Sequence, residues 1–448
     1  MNEDKTENSQ TPQSDNTSDA LVFQVEKILN KGDGLGKVDG QAVFVPLTAP
    51  GDRIRARVVK RGRGFLQAAC EEVLEPGPDR REAPCAHYGE CGGCNLQHIT
   101  DDAQRHIKAD IVLDCFQRVG KLDMSGLITG PDPTGNSLGY RNRIRLYGSP
   151  MGPYGMMKRG THDVVPLNRC ELLPEAFNRD ILPWLIQLPP VEQVLVRLDS
   201  DGHWLLSIFG APTRMRVMKK IIAALGEDEA PAPGCVGMLF NNRPIWGRDY
   251  LVHEVAGHKF RVGAQSFFQG NPAVAAEAVD TVRAWVQDLS DREALGGLLG
   301  DLFCGVGLFS LTLADLFDKI VAIDNDPYAC RDAENNVQRD PGARGKVKLH
   351  IGAMAEALKN VDLAPPALWR ESCCLIDPPR TGIGAEGVAS LTELAPRQII
   401  FMSCDPATLA RDAAGLIAAG YEARKLKVLD MFPQTSHIET LMLLEKKD

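Results

Sequence analysis

The chain has 448 residues, of which 44% are hydrophobic and 24% are charged, and its formal net charge is −9. This length suits two or three domains, each with its own core. No uninterrupted apolar run reaches the roughly 18 residues that a membrane span needs, so no membrane partner is expected. The acidic balance argues against a generally basic, nucleic-acid-binding surface, although the charges are unevenly distributed along the chain.

Residues 1–20 carry five acids and one lysine, and they lack the apolar core of a signal peptide. We therefore expect a disordered acidic tail over 1–20 and a cytoplasmic protein. The chain has 12 cysteines, which in a reducing compartment are more often metal ligands or catalytic thiols than disulfides. No feature of the sequence indicates an obligate protein partner.

Short alternating segments separated by glycine-rich turns occupy residues 21–78. The segments LVFQVEKI, QAVFVPL, DRIRARVV and FLQAACEEVL predict a small OB-like β-barrel, an architecture that often binds nucleic acid. The alternation places Arg53, Arg55 and Arg57 on one face of a strand. These arginines either contact a phosphate backbone or form an ordinary solvated face.

Four cysteines have the spacing of a closed metal site. Five residues separate Cys85 from Cys91, two glycines separate Cys91 from Cys94, and 75 residues lie between Cys94 and Cys170. Four thiolates suit either tetrahedral zinc or an iron–sulfur cluster, and the glycines let the backbone approach a bulky inorganic core. From the residues alone, both metals remain open, as do unrelated buried or redox cysteines.

Residues 79–262 are predicted to form a mixed α+β central domain that carries these cysteines. A linker-like segment, EPGPDRREAP, leads into it, and a helical stretch near 99–121 follows the cysteines. We expect this helix to pack on the C-terminal domain. Three apolar, strand-like segments come next: RNRIRLYG, QVLVRLD and HWLLSIFG.

Residues 263–448 alternate between apolar strands and helices. Asn271 and Pro272 are typical of a helix start. The strand-like segments are GGLLGDLF, KIVAIDND, KVKLHIG, SCCLIDPP, RQIIFMSC, RKLKVLDMF and ETLMLLE. Such alternation predicts an open, mostly parallel α/β sheet.

The first of these strands leads into a glycine-bearing turn and a helix. Gly305 and Gly307 permit a tight turn, and Asp324 ends the next strand. A carboxylate there commonly binds the two ribose hydroxyls of an adenosine ligand. The segment has no pyrophosphate cradle, so S-adenosylmethionine is favoured over NAD. A purely structural turn would leave Asp324 unexplained.

Two further strand ends carry reactive side chains. Asp377 precedes two prolines, on the edge where doubly wound sheets bind ligands, and it is either a ligand contact or a turn cap. Cys404 ends the next strand, and Asp405-Pro406 begins a helix directly after it. The amides of that helix start would lower the pKa of the thiol, and a thiolate beside a methyl donor indicates covalent catalysis.

The C-terminal region contains, in this order, FFQGN (267–271), DLFCGVG (301–307), DPPRTG (377–382), SCDPATLARD (403–412) and DMFPQTSHIET (430–440). Together these segments resemble the RNA (uracil-C5)-methyltransferases of the RumA/TrmA type. The resemblance covers about residues 21–448. It implies a Rossmann-like, S-adenosylmethionine-dependent methyltransferase domain over 263–448 and a TRAM domain over 21–78.

The resemblance also implies a 4Fe–4S cluster, held by Cys85, Cys91, Cys94 and Cys170. A TRAM barrel combined with a cluster is the arrangement of the branch that acts on 23S ribosomal RNA. The expected activity is therefore methylation of carbon 5 of a specific uridine in 23S ribosomal RNA, with transfer RNA or two ribosomal sites as alternatives.

The family's motifs imply roles for individual residues. Cys404 would attack carbon 6 of the uracil, and Glu439 would be the base that removes the hydrogen of carbon 5. The implied cofactor-binding residues are Gln269, Phe303, Gly305, Asp324 and Asp377. Asp377 would lie at the boundary between cofactor and uracil.

Two positions depart from the family's pattern, which often has asparagine where this chain has Leu308 and Ala353. Both departures concern cofactor contacts rather than the fold. Tyr140, Arg141 and Arg143 are candidate RNA contacts, or else part of an ordinary amphipathic strand.

Two other classes of function compete with this interpretation. A redox or radical enzyme would use the cluster directly, but four cysteines are available here, whereas radical enzymes usually leave one iron open. A non-catalytic RNA-binding protein would keep the barrel, but it would have no use for Cys404.

Overall fold

The computed structural model describes residues 20–149, 152–188, 191–216, 230–360 and 362–447. The predicted tail therefore lies outside the described residues, except for Ala20. The chain forms two compact units that divide between Arg80 and Arg81. Within the described residues, no helix is long and apolar enough to cross a membrane.

The first unit is a six-stranded sheet with strand order β1-β5-β6-β4-β3-β2. Its strands are β1 Ala20–Gln24, β2 Lys27–Ile28, β3 Asp33–Val38, β4 Gln41–Pro46, β5 Arg53–Gly62 and β6 Phe65–Glu75. All four segments predicted from alternation contribute strands. Their inward apolar side chains, including Val43, Val45 and Ile54, pack into one small core.

Asp52, which directly precedes β5, connects this strand by hydrogen bonds to the last residues of the unit. Its side chain is completely buried, and it accepts hydrogen bonds from the amides of Ala49 (2.6 Å) and Gly77 (2.8 Å) and from Arg80 Nε (2.9 Å). Burial raises the pKa of Asp52, but these hydrogen bonds, that of Arg80 first, more than offset it, so the pKa lies below its usual value. Removing one partner of such a buried pair typically costs about 3–5 kcal/mol.

The three arginines of β5 share one exposed face, as the alternation predicts. Each of them, however, pairs with a glutamate on the neighbouring strand β6. The pairs are Arg53–Glu75 (2.7 Å), Arg57–Glu71 (3.0 Å) and Arg55–Glu72. Of the two alternatives for these arginines, the cross-strand ion pairs favour an ordinary solvated face.

The second unit contains a seven-stranded sheet with strand order β10-β9-β8-β11-β12-β13-β14. Its strands are β8 Arg143–Ser149, β9 Gly152–Met157, β10 Val164–Pro166, β11 Gln193–Leu198, β12 Trp204–Phe209, β13 Cys235–Phe240 and β14 Arg243–Gly247. Only β12 and β13 run parallel among these pairs. A π-helical turn, Phe177–Ile181, and the short helix α2, Leu182–Ile186, pack their apolar side chains into the core of this central sheet.

The larger sheet of this unit has strand order β19-β18-β17-β20-β21-β23-β22-β7. Its strands are β7 Ile128–Thr129, β17 Leu298–Leu302, β18 Lys319–Asp324, β19 Val347–Ile351, β20 Cys373–Ile376, β21 Gln398–Ser403, β22 Tyr421–Leu429 and β23 Glu439–Lys446. Strands β17 to β21 are mutually parallel, whereas β23 runs antiparallel to both β21 and β22. The predicted mostly parallel α/β sheet is confirmed.

Helices cover the large sheet. They are α1 Asp101–Cys115, which continues as a π-helical turn over Phe116–Gly120, α3 Pro272–Asp291, α4 Leu308–Thr312, α5 Pro327–Arg339, α6 Met354–Ala357, α7 Pro366–Arg370, α8 Gly384–Leu394 and α9 Pro406–Ala418. The predicted start of α3 is confirmed, since the Asn271 side chain accepts the amide of Val274. Asp405 caps α9 in the same way.

Two elements from the region predicted as a central domain join the core around the large sheet. Helix α1 packs against α9. The hairpin of β15, Tyr250–Val255, and β16, His258–Gly263, contributes apolar side chains to the core that also contains α3. The fully buried Lys108 of α1 also forms an ion pair with Asp430, just after β22. These contacts fix the segment that follows β22 at the reactive edge of the sheet.

Candidate active site

The turn after β17 has an unusual backbone. Phe303, Gly305 and Gly307 all have left-handed φ angles, of 68°, 55° and 88°. The amide of Gly305 donates to Asp324 Oδ2 (2.8 Å), so the carboxylate at the end of β18 closes the turn from the neighbouring strand. A non-glycine residue in this conformation costs of order 1–3 kcal/mol, and such strain concentrates at ligand sites. The structure thus brings Phe303, Gly305 and Asp324 together.

A cavity of about 160 Å³ lies beside this turn. Its lining combines the carboxyl groups of Asp324 and Glu386 with backbone and apolar groups, as expected of a site for a small cofactor. The lining residues are Phe303, Ile323, Asp324, Asn325, Gly352, Ala353, Met354, Ala355, Ile383, Glu386 and Gly387. Of the two departures from the family's pattern, Ala353 faces this cavity, whereas Leu308 is buried in the core.

Asp377 and Gln269 meet at the carboxyl end of β20. Gln269 Nε2 donates to Asp377 Oδ2 (3.4 Å), which joins the segment before α3 to the end of that strand. Burial raises the pKa of Asp377 to about 7, and Asp301 and Asp324 act in the same direction. A buried group of carboxyls of this kind favours a cationic ligand.

Cys404 lies between β21 and α9, where the sequence predicts it. Asp405 occupies the first amides of α9, because its side chain accepts the N–H groups of Ala407 and Thr408 (both 3.0 Å). Burial raises the pKa of Cys404 to about 11, with Glu439 and then Asp377 acting in the same direction. The expected lowering of the thiol pKa by the helix start is therefore wrong, since Asp405 takes the amides and acidic groups face the thiol.

Glu439 is the first residue of β23, and the next residue, Thr440, pairs with Ser403 at the end of β21. This register sets Glu439 beside Cys404. The carboxyl group is buried, and its Oε2 has no hydrogen-bond partner. Burial, followed by Asp377, raises its pKa well above the usual value. Such a group exchanges a proton readily when the charge around it changes.

Sequence reasoning missed two residues at this edge, Arg380 and His437. Their side chains meet, with Arg380 Nη2 3.1 Å from His437 Nδ1. Burial, and then Arg380, lowers the pKa of His437 to about 4, so this imidazole is neutral near pH 7. Both residues lie inside motifs that the sequence identifies, but their contact joins segments 57 residues apart.

The four predicted cysteine ligands line one cavity of about 140 Å³. All four are free thiols. Burial raises the pKa of Cys94 to about 12 and that of Cys170 to about 11, and neighbouring thiols add to both shifts. The structure therefore gathers Cys85, Cys91, Cys94 and Cys170 around a common space, with the donor chemistry of a thiolate-bound metal centre.

Within the described ranges, no group of three or more His, Cys, Asp or Glu side chains is arranged to hold a metal ion. Zinc–thiolate bonds of about 2.3 Å require four sulfurs to converge on one point. An iron–sulfur cluster binds each cysteine at a different iron and so accepts wider spacing.

Arginines on the central sheet form a second feature of the site, which we call the arginine patch: Arg141, Arg143, Arg145 and Arg197. The charged neighbours of Arg143 and Arg197 are other arginines. Arg143 stacks on the exposed Phe267 (5.6 Å to the ring centre), and Arg141 stacks on Phe432 (5.9 Å).

Tyr140, in contrast, is buried, and its hydroxyl donates to the carbonyl of Pro433 (3.0 Å). The prediction that Tyr140 contacts RNA is therefore wrong, because this side chain is part of the packing beneath residues 430–438. Arg141 and Arg143 remain candidates.

Comparisons with known proteins agree with this geometry. Residues 241–447 match the family model described as tRNA (uracil-5-)-methyltransferase, and residues 22–69 match the TRAM domain. A protein of Aquifex aeolicus named as an uncharacterized RNA methyltransferase is 31% identical over 96% of this chain and 99% of its own length. One of the same description from Caldanaerobacter subterraneus is 29% identical over 95% of this chain and 98% of its own.

Among solved structures, the tRNA (uracil-54, C5)-methyltransferase of Pyrococcus abyssi, in complex with S-adenosyl-L-homocysteine, has a TM-score of 0.69. The match covers 95% of this chain and 100% of that one at 20% identity, so it shows a common fold. The family model and the relatives that match over nearly their full length show the family as well as the fold. The chain belongs to the tRNA (uracil-5-)-methyltransferase family, the RumA/TrmA type that its motifs resemble, and carries a TRAM domain at its N-terminal end.

Proposed function

We propose that this protein methylates carbon 5 of a uridine in RNA, with Cys404 as nucleophile and Glu439 as base. The observation that carries the proposal is the convergence of Cys404, Glu439 and Asp377 at one sheet edge, close enough for the charge of each acid to act on the thiol. The cavity beside Phe303 and Asp324 adjoins this edge and suits S-adenosylmethionine, which supplies an electrophilic methyl group.

The chemistry of uracil defines what each residue does. Carbon 5 is a poor nucleophile until a group adds at carbon 6. The Cys404 thiolate would form a bond to carbon 6, which leaves an enolate. Carbon 5 of the enolate then takes the methyl group as the bond between that methyl group and the sulfonium sulfur breaks, with S-adenosylhomocysteine as the leaving group. The Glu439 carboxylate then removes the hydrogen of carbon 5, the double bond re-forms, and the bond between Cys404 and carbon 6 breaks. A positioned base of this kind contributes about 10²- to 10⁴-fold.

The raised pKa values give the methyl donor a second role. Burial and neighbouring acids raise the pKa of Cys404 to about 11, so this thiol is protonated near pH 7. Burial and Asp377 also raise the pKa of Glu439 well above its usual value. S-adenosylmethionine carries a positive sulfonium, and a cation near Asp377 would favour the thiolate and the carboxylate. Binding of the methyl donor would therefore activate the Cys404 thiol, and attack on the uracil would follow binding of the cofactor.

The proposed substrate is 23S ribosomal RNA. The combination of a TRAM domain with a four-cysteine cavity supports this choice within the family. Transfer RNA is the second candidate, since the P. abyssi protein of the same fold is named for transfer RNA.

The arginine patch is the proposed RNA contact of the second unit. It lies on the central sheet and reaches the active-site segments through two stacked rings, Phe267 and Phe432. Among the residues that the structure describes, these four arginines form no ion pair with an acidic side chain, in contrast to those of β5, and unpaired arginines bind phosphates by releasing counterions. Exposed aromatic rings also stack on the bases of single-stranded RNA.

The four cysteines are proposed to hold a 4Fe–4S cluster. Their residues would supply four thiolate ligands, and the cluster would contribute cross-linking of segments far apart in the sequence. The gathering of the four thiols around one cavity supports this proposal.

The nucleophile is tested with total RNA that contains 5-fluorouracil, incubated with S-adenosylmethionine. Wild-type protein is expected to form a covalent adduct that survives denaturing electrophoresis, because fluorine at carbon 5 blocks the final elimination. Cys404→Ala should form none, and Cys70→Ala, which changes a barrel cysteine, should behave as wild type. Sequencing the trapped RNA distinguishes 23S ribosomal RNA from transfer RNA. Equal trapping by the wild type and Cys404→Ala would refute the mechanism.

Activation by the cofactor is tested through the pH dependence of Cys404 alkylation by iodoacetamide. Since a raised pKa keeps the thiol protonated, the rate should climb with pH beyond 9 in the protein alone, towards the thiol pKa of about 11. S-adenosylmethionine should move the rise to lower pH, whereas neutral S-adenosylhomocysteine should not. Subtracting the Cys404→Ala profile isolates this thiol, and identical midpoints with both ligands would contradict the proposal.

The RNA-binding face is tested by comparing two arginines. Arg145→Ala should weaken binding to substrate RNA several-fold and reduce the slope of log K against log salt by about 0.7, the value for one phosphate contact on a single strand. Arg55→Ala, which removes an arginine already paired with Glu72, should change neither quantity. Fluorescence anisotropy over a range of salt concentrations measures both, and equal losses in the two variants would contradict the assignment.

The metal centre is tested by elemental analysis of protein purified without oxygen. We expect about four iron and four sulfide per chain, as in a 4Fe–4S cluster. Cys91→Ser should lower both contents, while Cys70→Ser should not. One zinc per chain without sulfide would rule out the cluster.

A further inference from the structure

The segment that carries the proposed base is held by the loop that carries the proposed metal ligands. We call residues 430–438, which connect β22 to β23 and lead into Glu439, the base segment. We call residues 85–98, which contain three of the four cysteines, the cysteine loop. The two are in contact although Asn95 and Ser436 are 341 positions apart in the sequence.

Asn95 makes the central contacts between them. Its Oδ1 accepts the amide of Ser436 (2.8 Å), and its Nδ2 donates to Ser436 Oγ (3.0 Å). The amides of Asn95 and Leu96 both donate to the carbonyl of Gln434 (3.2 and 3.1 Å). Two adjacent residues of the cysteine loop, Asn95 and Leu96, therefore form hydrogen bonds with the base segment at Gln434 and Ser436.

The base segment requires such support because of its own backbone. Gln434 is completely buried and has a left-handed φ of 68°, a conformation that a non-glycine residue keeps only when its surroundings impose it. Those surroundings are polar: Gln104 Oε1 accepts the amide of Gln434 (2.9 Å), and Arg81 and Asp101 bind its side chain (2.9 and 2.8 Å). The backbone path of the base segment is thus determined by hydrogen bonds from residues outside it.

Glu439 depends on that path. Its Oε2 has no hydrogen-bond partner among the described residues. None of their side chains therefore holds this oxygen in place, and the position of the carboxyl group depends on the backbone. Ser436, the residue that Asn95 binds, is only three positions earlier. Asn95 in turn directly follows Cys94, so whatever fixes the four thiols also fixes Asn95.

We propose that Asn95 is a positioning residue for the elimination step, through which the cysteine loop holds Glu439 against the substrate. The inference rests on the proposed function. It extends that function by giving the cysteine site a role in the elimination step. Loss of the contact leaves attack by Cys404 and methyl transfer intact. It slows removal of the hydrogen from carbon 5, so the methylated covalent adduct persists.

The test uses Asn95→Ala, S-adenosylmethionine and ordinary uridine-containing substrate RNA. The amount of denaturation-resistant protein–RNA adduct is compared with the 5-methyluridine formed. We expect the ratio of adduct to product to rise about tenfold or more over wild type, since small misplacements of catalytic groups cost up to about 10²-fold. Glu439→Gln should show the same accumulation and provides the reference.

Three controls separate positioning from folding. Asn95→Ala should trap 5-fluorouracil RNA at the wild-type rate and contain as much iron, because neither needs the base. Asn95→Asp keeps the acceptor for the amide of Ser436 and should restore most of the turnover. Asn168→Ala, which removes a partner of His87 in the cysteine loop but leaves the base segment untouched, should match wild type.

Two outcomes would overturn the inference. One is an unchanged ratio of adduct to product in Asn95→Ala. The other is a parallel loss of trapping, iron and product, which would mean that Asn95 acts in folding. Failure of the proposed function is a separate result, because wild-type protein would then trap no 5-fluorouracil RNA at all.

Discussion

The inner strands of the large sheet are buried along their whole length, and this constraint determines where chemistry can occur. Every residue of β17, β20 and β21 is buried, so polar groups that meet a ligand must lie beyond the strand ends. The parallel strands bring their carboxyl ends to one edge, where Asp377 and Cys404 follow β20 and β21. Because β23 is antiparallel, its first residue, Glu439, reaches the same edge.

The same constraint explains the electrostatics of the site. Acids placed at a buried edge lose hydration, and their charges oppose one another, which raises the pKa values of Asp377 and Glu439. Arg380 is the cation that acts on both Cys404 and Glu439. Buried acids of this kind favour a positively charged ligand, which is the basis of the proposed activation by the methyl donor.

Much of this arrangement could be predicted from the sequence, because strand ends, helix caps and the turn at Gly305 are local features. The raised pKa of Cys404 could not be predicted, since it depends first on the burial of the thiol and then on the nearby acids Glu439 and Asp377. The shared face of the β5 arginines was predicted correctly, but their pairing with glutamates could not be predicted, because those glutamates lie on the neighbouring strand β6. Nothing in the sequence around Asn95 indicated its proposed role, because that role rests on a contact with Ser436, 341 positions away in the sequence.

The two-residue strand β7 has a consequence for how the molecule can be divided. It pairs with the outer side of β22 and so covers part of one edge of the large sheet, and α1, close to it in sequence, packs on α9. A fragment reduced to the matched residues 241–447 would lose both elements. Its outermost strand would present unpaired amides and carbonyls, an open template for pairing with other chains. The portion that matches the family model therefore does not contain the whole of the large sheet, since residues before it supply the strand at one edge.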